Sequence, residues 1–510
     1  MLMEGISPSL FWGGVLGLVL VSGLLWLPLR LSHAVASSSS DYSKLDLLRY
    51  QPLASFVRWR PFQFIFQVLF VLTFLLIIVC GLLGTQVTYL NLAPILTWNI
   101  WWGGLIFAIL FFGKIWCLVC PWNAIATWLQ RLTFWARSRL SLSLNLRWPR
   151  RWRNIYIATG LFMLLTWLEL GFGVTTIPWA TAGLGILMLA MALVSAIYFE
   201  RQSFCRYACL VGRVSGLYSM FAPLEVRARD KDLCRQCPTK DCFRGNDRGY
   251  PCPTFEFLGA MELNTYCILC SECVKSCPEN NVAFNLRPFA NDLLRSRQQR
   301  TDEAYLALVM LSMTSFHGLT MTPSWGSIQQ ALSDFIGLGS LGNVLAFTLG
   351  MAGIIALPIV LWLMSSKLAI FASASSTPSL KSTFVGYAYA LLPVALFYHL
   401  AHNVEHLLSE GQRIVYLISD PFGWSWDLFG TAQWRLDPLI SLPTIQAFQV
   451  VFVVIGQGMA VLIARHVSRR LFPQRREPVR SLVVMVGMLL AFSLANLVLL
   501  AQPMHMRSTM

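Results

Sequence analysis

Charge is scarce in this sequence. Only 12% of its 510 residues are Asp, Glu, Lys or Arg, 56% are hydrophobic, and the mean hydropathy is +0.59. That balance excludes an ordinary soluble globular chain and makes this an integral membrane protein. Acids are the scarcer sign, 24 against 39 basic residues, for a net charge of +15. In a soluble chain such an excess would suggest nucleic acid. Here the Lys and Arg fall in short stretches between apolar runs, as topology determinants do, so membrane lipid is the expected partner and nucleic acid is not. The sequence also has no nucleotide-binding glycine loop, no hydrolase triad and no long internal repeat, which removes nucleotide-driven, hydrolytic and solenoid classes.

Apolar runs are abundant instead. A span needs about 20 apolar residues. Candidates fall near 10–31, 62–84, 98–116, 155–172, 180–199, 305–321, 338–364, 384–407, 444–463 and 481–501. The expected fold class is therefore an all-α polytopic membrane protein of about ten helices, with one polar block, 222–300, inserted between the fifth and the sixth. "AVA" at Ala34 to Ala36 resembles a signal-peptidase site. The run before it is long for a signal and is preceded by Glu4 without Lys or Arg, so it reads as a retained first helix.

The stretch "RLTFWARSRLSLSLNLRWPRRWR" carries seven arginines and no acid. It is expected on the cytoplasmic side of a bacterial-type inner membrane. Threading from it puts the linker 33–60, the polar block and the basic loop 465–480 inside. The loops 85–97, 173–179, 322–337 and 408–443 then lie outside.

Twelve of the thirteen cysteines lie between Cys117 and Cys277. Close-spaced groups in a chain of this kind indicate metal ligation rather than disulfides. Cys80, alone in an apolar run, reads as a small core residue. "YCILCSECVKSCPENN" holds Cys267, Cys270, Cys273 and Cys277 followed by Pro278. In this ferredoxin run three thiolates clasp one [4Fe-4S] cluster and the fourth reaches another. A partner group is present as Cys234, Cys237 and Cys242, with Cys252-Pro253 beyond it. Exchanging the fourth ligands gives one cluster on Cys234, Cys237, Cys242 and Cys277 and a second on Cys252, Cys267, Cys270 and Cys273. A pair of structural zinc sites is the alternative.

Two more pairs follow helices in "FGKIWCLVCPW" (Cys117, Cys120) and "RQSFCRYACLVG" (Cys205, Cys209). Threading brings all four to the inner membrane edge, where a third Fe-S, zinc or Cu(I) site is expected, with a redox-active disulfide or four reduced thiols as alternatives. Paired cysteines at two helix ends followed by a two-cluster ferredoxin resemble the membrane polyferredoxins of the NapH, NosR and CcoG type, over about residues 60–290. The resemblance implies electron transfer in service of a periplasmic reductase or of oxidase assembly. The usual Cys-x3-Cys-Pro pair is altered twice, by a two-residue spacing before Cys120 and by Leu210 in place of proline.

Six of the seven histidines lie beyond residue 300, in the part that the resemblance leaves unexplained or in the tail. At 100° per residue, His399, His402 and His406 fall within an arc of about 60° on one helix face, bordered by Glu405. His317 stands on another helix between Met313 and Met321. Copper and haem are the two candidate ligands of these outer histidines, with hydrogen-bonded core residues as the alternative. The two methionines read as packing. Met504, His505 and Met506 give a weak copper-capture motif, and no role is assigned to Glu169.

The expected organisation is a transmembrane domain 1–221, a ferredoxin-like domain 222–300 and a second transmembrane domain 301–510. The expected function is passage of electrons from a cytoplasmic donor through two [4Fe-4S] clusters and the membrane-edge cysteines toward a quinone or an outer redox protein. The alternatives are a reductase or maturation factor acting on copper or another substrate at the histidines, and a transporter. One difficulty is visible in advance: the thiols and the histidines stand on opposite sides of a hydrocarbon core about 30 Å thick.

Overall fold

The computed structural model describes residues 2–23, 43–135, 140–295, 299–373, 378–434, 436–472 and 477–505. Residues 24–31 of the first expected helix, part of the arginine-rich loop and Met506 lie outside the described residues. The helices that matter below are, first, α1 (Pro8–Ser22), α2 (Phe62–Leu83) and α3 (Leu92–Phe112), followed by the short α4 (Ile115–Val119) and α5 (Pro121–Arg131). Next come α6 (Tyr156–Gly171), α7 (Pro178–Tyr198), and the short α8 (Ser203–Tyr207) and α9 (Leu210–Tyr218). Beyond the polar block stand α10 (Thr301–Thr320), α11 (Pro323–Ile336), α12 (Ser340–Ser373), α13 (Leu380–Leu417), α14 (Leu442–Leu471) and α15 (Glu477–Ala501).

Seven of these are long and apolar enough to cross a membrane, namely α2, α3, α7, α12, α13, α14 and α15, the last from Val479. The sixth expected span is different. Thr322 is extended ahead of Pro323, as a residue before proline prefers, and α10 and α11 meet there at 93°. Over the described residues α1 and α6 are apolar but short, at 15 and 16 residues.

Local chemistry starts these helices. Ser7 caps α1 ahead of Pro8, its hydroxyl accepting from the Leu10 N–H. Asn91 caps α3 by accepting from the Ala93 N–H at 2.9 Å while donating to the Cys80 carbonyl at 2.8 Å, which ties α3 to the end of α2. Cys80 itself is buried among Leu92, Ala93, Ile95 and Leu417, as its isolation suggested.

Small and polar residues bring the helices together, as expected where apolar surface alone gives no preference for protein over lipid. Gly456 of α14 lets Phe397 and Pro393 of α13 approach. Gln457 donates to Ser22 of α1 at 2.9 Å and accepts from Ser493 of α15 at 2.8 Å. The middle of α13 is wholly buried, from Thr383 to His406, and forms the centre of the bundle. Helices from both sides of the polar block share contacts: Trp167 donates to Thr348 at 3.0 Å, and Asn99 to Glu410 at 2.6 Å.

The polar block carries an antiparallel sheet, with Val282–Leu286 between Leu224–Ala228 and Leu45–Asp46. The third strand comes from the distant basic linker. A buried ion network lies at the sheet. Arg287 pairs with Glu225 at 2.8 Å and with Asp292, and Arg227 reaches Asp292 at 3.3 Å. Arg131 lies 3.6 Å over the Tyr250 ring and Arg58 donates to Asn280 at 3.2 Å, so the arginine-rich segment, the linker and the block occupy one end of the bundle.

Candidate functional site

Of the eight cysteines of the block, Cys234, Cys242 and Cys273 lie in short helices (Lys231–Gln236, Asp241–Arg244 and Glu272–Ser276) and the others in the loops beside them, some of which take unusual backbone conformations. Leu269, between Cys267 and Cys270, and Ser271, between Cys270 and Cys273, both adopt positive φ, near 57° and 62°. Such left-handed non-glycine residues persist only where the surroundings impose them, and here they let one short run turn three thiols inward.

The thiols sort by their electrostatic neighbours. Burial pushes Cys242 up to about 11, and the charges of Cys234, Cys277 and Cys237 add to it. Burial pushes Cys267 up to about 11 with Cys252 as its thiol neighbour, and lifts Cys270 and Cys273 well above the ordinary range, each further raised by Cys252 and Cys267. Cys273 also feels Cys242 across the gap between the two sets. By these neighbours Cys234, Cys237, Cys242 and Cys277 fall in one set and Cys252, Cys267, Cys270 and Cys273 in another, with Cys242 and Cys273 linking the two.

Hydrogen bonds to sulfur add detail. Asn281 donates its side-chain amide to Cys234 Sγ at 3.3 Å and its backbone N–H to Cys277 Sγ at 3.4 Å, and the Glu256 N–H reaches Cys252 Sγ at 3.2 Å. Donors to thiolate sulfur are a principal means by which a protein tunes such a site.

The membrane-edge pairs are built twice on one plan. Cys117 lies within α4 and Cys120 caps α5; Cys205 lies within α8 and Cys209 caps α9, accepting from the Gly212 N–H at 3.3 Å. The altered motif explains itself locally: Pro121 opens α5, where its missing N–H costs nothing, and Leu210 takes the same first position of α9. Burial pushes Cys209 up to about 11 and Cys120 and Cys205 higher still, with thiols from both pairs acting on one another.

Two buried cations face this group, and neither was singled out from the sequence. Lys114 and Arg213 are each 1% exposed. Burial and Arg213 lower Lys114 to about 8, while the charges of Cys117, Cys205 and Cys209 raise it. Lys114 stands three residues before Cys117 and Arg213 four after Cys209, a spacing that could have flagged them. Four sulfur donors beside two desolvated cations suit a thiolate-held centre of net negative charge, because isolated buried cations are costly.

Tyr266 connects the two regions. It immediately precedes Cys267, and Arg213 lies 4.4 Å and Arg206 4.6 Å from the centre of its ring. Gly216 of α9 packs so closely on the Thr265 carbonyl that a β-carbon there would stand 2.5 Å from it.

The expected gap between thiols and histidines is closed by α9. This helix does not lie in the polar block; every residue from Leu210 to Tyr218 is buried, and it packs against α3, α6, α10 and α13. Its nine residues rise about 13 Å. At its far end the Tyr218 ring lies 6.2 Å from that of His399. The separation is therefore much shorter than a full hydrocarbon core.

His317, His399 and His402 line one small pocket together with Met313 and Glu169. The rings of His317 and His402 lie 5.1 Å apart, and those of His402 and His406 5.0 Å. His406 is committed elsewhere. It sits in a π-helical turn, and its Nδ1 lies 2.9 Å from Glu410, which also accepts from Asn99. Met321 packs in a separate apolar cluster near Tyr398. Glu169, left unassigned by the sequence, belongs to this pocket.

Among the described residues no three His, Cys, Asp or Glu side chains converge closely enough to hold a single metal ion as they stand. A four-iron cube takes one thiolate at each iron corner and spaces them more widely than one ion does. The two fours of the block fit that donor arrangement in residue type and neighbourhood.

Comparison with known proteins points the same way over part of the chain. It is 27% identical over 147 residues to the methylamine utilization ferredoxin-type protein MauN of Paracoccus denitrificans, covering 26% of this chain and 48% of that protein. It is 30% identical over 111 residues to the putative electron transport protein YccM of Escherichia coli, covering 21% of this chain and 29% of that protein. The chain thus spans half or less of the length of these relatives. No family model and no solved structure matches it. A polyferredoxin-like resemblance holds over a segment, and electron transfer is the coarse function it supports.

Proposed function

We propose that this chain is a membrane-bound iron–sulfur electron-transfer protein that takes electrons from a cytoplasmic donor and passes them toward a quinone or an outer-side acceptor. The observation that carries this reading is the sorting of eight thiols into two adjoining fours. In it Cys234, Cys237, Cys242 and Cys277 hold one [4Fe-4S] cluster, and Cys252, Cys267, Cys270 and Cys273 hold the other. Cys117, Cys120, Cys205 and Cys209 hold a third centre, balanced by Lys114 and Arg213. When bound, such clusters supply reversible one-electron transfer at potentials set by charge, hydrogen bonds and exposure.

The chain's own residues order the relay. The charge of Cys242 reaches Cys273 between the first two sites, Tyr266 and Arg213 bridge to the third, and α9 leads from Cys209 to Tyr218. The proposed organisation is a transmembrane domain 1–221, a cytoplasmic ferredoxin-like domain 222–300 and a transmembrane domain 301–510, ten membrane helices in all, in a bacterial-type inner membrane. Iron and acid-labile sulfide counts with electron paramagnetic resonance on the purified protein test it. Fewer than about eight irons per chain sinks the two-cluster assignment.

A second reading has its own observation, the convergence of His317, His399, His402 and Met313 on one pocket. Imidazole with thioether suits copper, and opposed imidazoles suit haem. Under this reading the protein reduces copper or another substrate there. Loss of activity in His399→Ala and His402→Ala, with reduction of the cysteine sites intact, would favour it over simple relay.

A further inference from the structure

A large cavity lies between the membrane-edge cysteines and the histidine pocket. Its volume is about 540 Å³, within the ~300–1,000 Å³ range of small-molecule sites. Trp116 and Trp122, neighbours of Cys117 and Cys120, form part of one wall, and Leu210 and Val211, which follow Cys209, form another part. Glu169 stands at the other side, on the wall of this cavity and of the histidine pocket alike. Phe66 of α2 also lines the cavity and is 38% exposed on the flank of that span, so the space reaches the lipid-facing surface.

The wall is aromatic and apolar, and its residues include four hydrogen-bond donors, buried just behind the surface, that find no acceptor among the described residues: the indole N–H groups of Trp101, Trp116 and Trp122, and the hydroxyl of Thr97. Buried indole N–H groups normally have partners. Three in one cavity, with the Trp101 ring 5.1 Å from Trp116 and 5.8 Å from Trp122, call for a ligand that brings the acceptors. That ligand must also be flat, apolar and uncharged, since no cation lines the cavity and Glu169 is the one ionisable side chain on its wall among the described residues. A phosphate headgroup or a haem carboxylate has no counter-charge here.

We infer that this cavity binds the ring of a lipid-soluble quinone, its carbonyl oxygens accepting from Thr97 and the indoles and its tail leaving past Phe66 into the bilayer. The inference rests on the electron-transfer reading for its chemistry, and it names the site at which the carrier is met. Reduction consumes two electrons, supplied one at a time through the thiolate-held centres by a reduced one-electron carrier protein of the iron–sulfur or flavin class, and two protons, and converts both C=O groups to C–OH. Glu169 delivers the two protons in turn on the cavity side, recharged after each from the histidine pocket that it borders.

Decylubiquinone, a short-tailed ubiquinone, titrated into the detergent-purified full-length protein and followed by tryptophan quenching, tests the site. Saturable binding is expected. Thr97→Val and Trp101→Phe should each weaken it about three- to tenfold, the worth of one hydrogen bond. A side chain at Gly104, which lines the cavity and has open space at its β-carbon, should fill the site, so Gly104→Leu should abolish saturation. Iron content and paramagnetic resonance are read on the same samples. Non-saturable quenching, or equal saturation in wild type and Gly104→Leu, with iron intact overturns the site and leaves the relay standing. Saturation lost in Gly104→Leu from a protein holding fewer than about eight irons supports the site and overturns the relay.

Discussion

The ring of Tyr218 lies 6.2 Å from the ring of His399, and this contact joins a helix that begins at a cysteine to the helix at the centre of the bundle. Because Cys209 caps the near end of α9 and Tyr218 closes the far end, thiol chemistry and histidine chemistry are neighbours in space, although 190 positions separate Cys209 from His399 in sequence.

Gly216→Ala should break that arrangement. The added β-carbon would stand 2.5 Å from the Thr265 carbonyl, a backbone atom that cannot move aside without shifting the cysteine run behind it. We expect loss of the third centre and a destabilisation of about 1–3 kcal/mol from overpacking. Thermal melting together with iron content measures both.

Lys114→Met should unbalance the membrane-edge site. A buried charge that loses its partner costs about 3–5 kcal/mol, so the centre proposed on the four thiols should be lost while the iron of the two proposed block clusters remains. Iron per chain should fall by the share of one site, and a fall in all iron would count against an independent third centre.

Asn281→Leu should shift the potential of the cluster proposed on Cys234 and Cys277. It removes the side-chain donor to Cys234 Sγ and leaves the backbone donor in place. Loss of a donor to sulfur disfavours the reduced, more negative state, so the potential should fall by about 20–65 mV, the one-electron equivalent of a ~0.5–1.5 kcal/mol hydrogen bond. A redox titration followed by paramagnetic resonance gives the shift.

Metal-stripped protein should show slow thiols. With Cys242 and Cys267 pushed up to about 11 by burial, both stay neutral at pH 8. Because the thiolate is the reactive form, their alkylation should rise about tenfold per pH unit until pH approaches 11. Rates independent of pH between 8 and 10, measured by peptide mass spectrometry, would show that burial does not govern them.

Arg287→Ala should weaken the block rather than the bundle. Glu225 and Asp292 would lose one of the two arginines that they pair with and keep Arg227, at a cost of about 3–5 kcal/mol. The melting transition seen in cluster absorbance should fall, while the helical transition in far-ultraviolet circular dichroism holds.

Much of this protein was legible in its sequence because the signals are local. Apolar runs mark spans, since a bilayer leaves the backbone few alternatives to a helix, and each expected run contains a helix over its described residues. The cysteine spacing names the eight block thiols and suggests their exchange, because a short loop can reach only so far. The spacing of His399 and His402 places them on one helix face for the same reason.

What required the tertiary structure is everything that depends on where separate elements meet. The chain bends by 93° at the end of the sixth span, and α9 enters the bundle although the segment it belongs to shows no long apolar run. Glu169 joins three histidines from helices far away in sequence, while His406 turns instead to Glu410. Lys114, Arg213 and the indole donors of Trp101, Trp116 and Trp122 matter only because packing removes water from them. Sequence sets what a residue can do chemically; burial and proximity decide which of them must do it, because a charge or a donor needs a partner only once it has been desolvated.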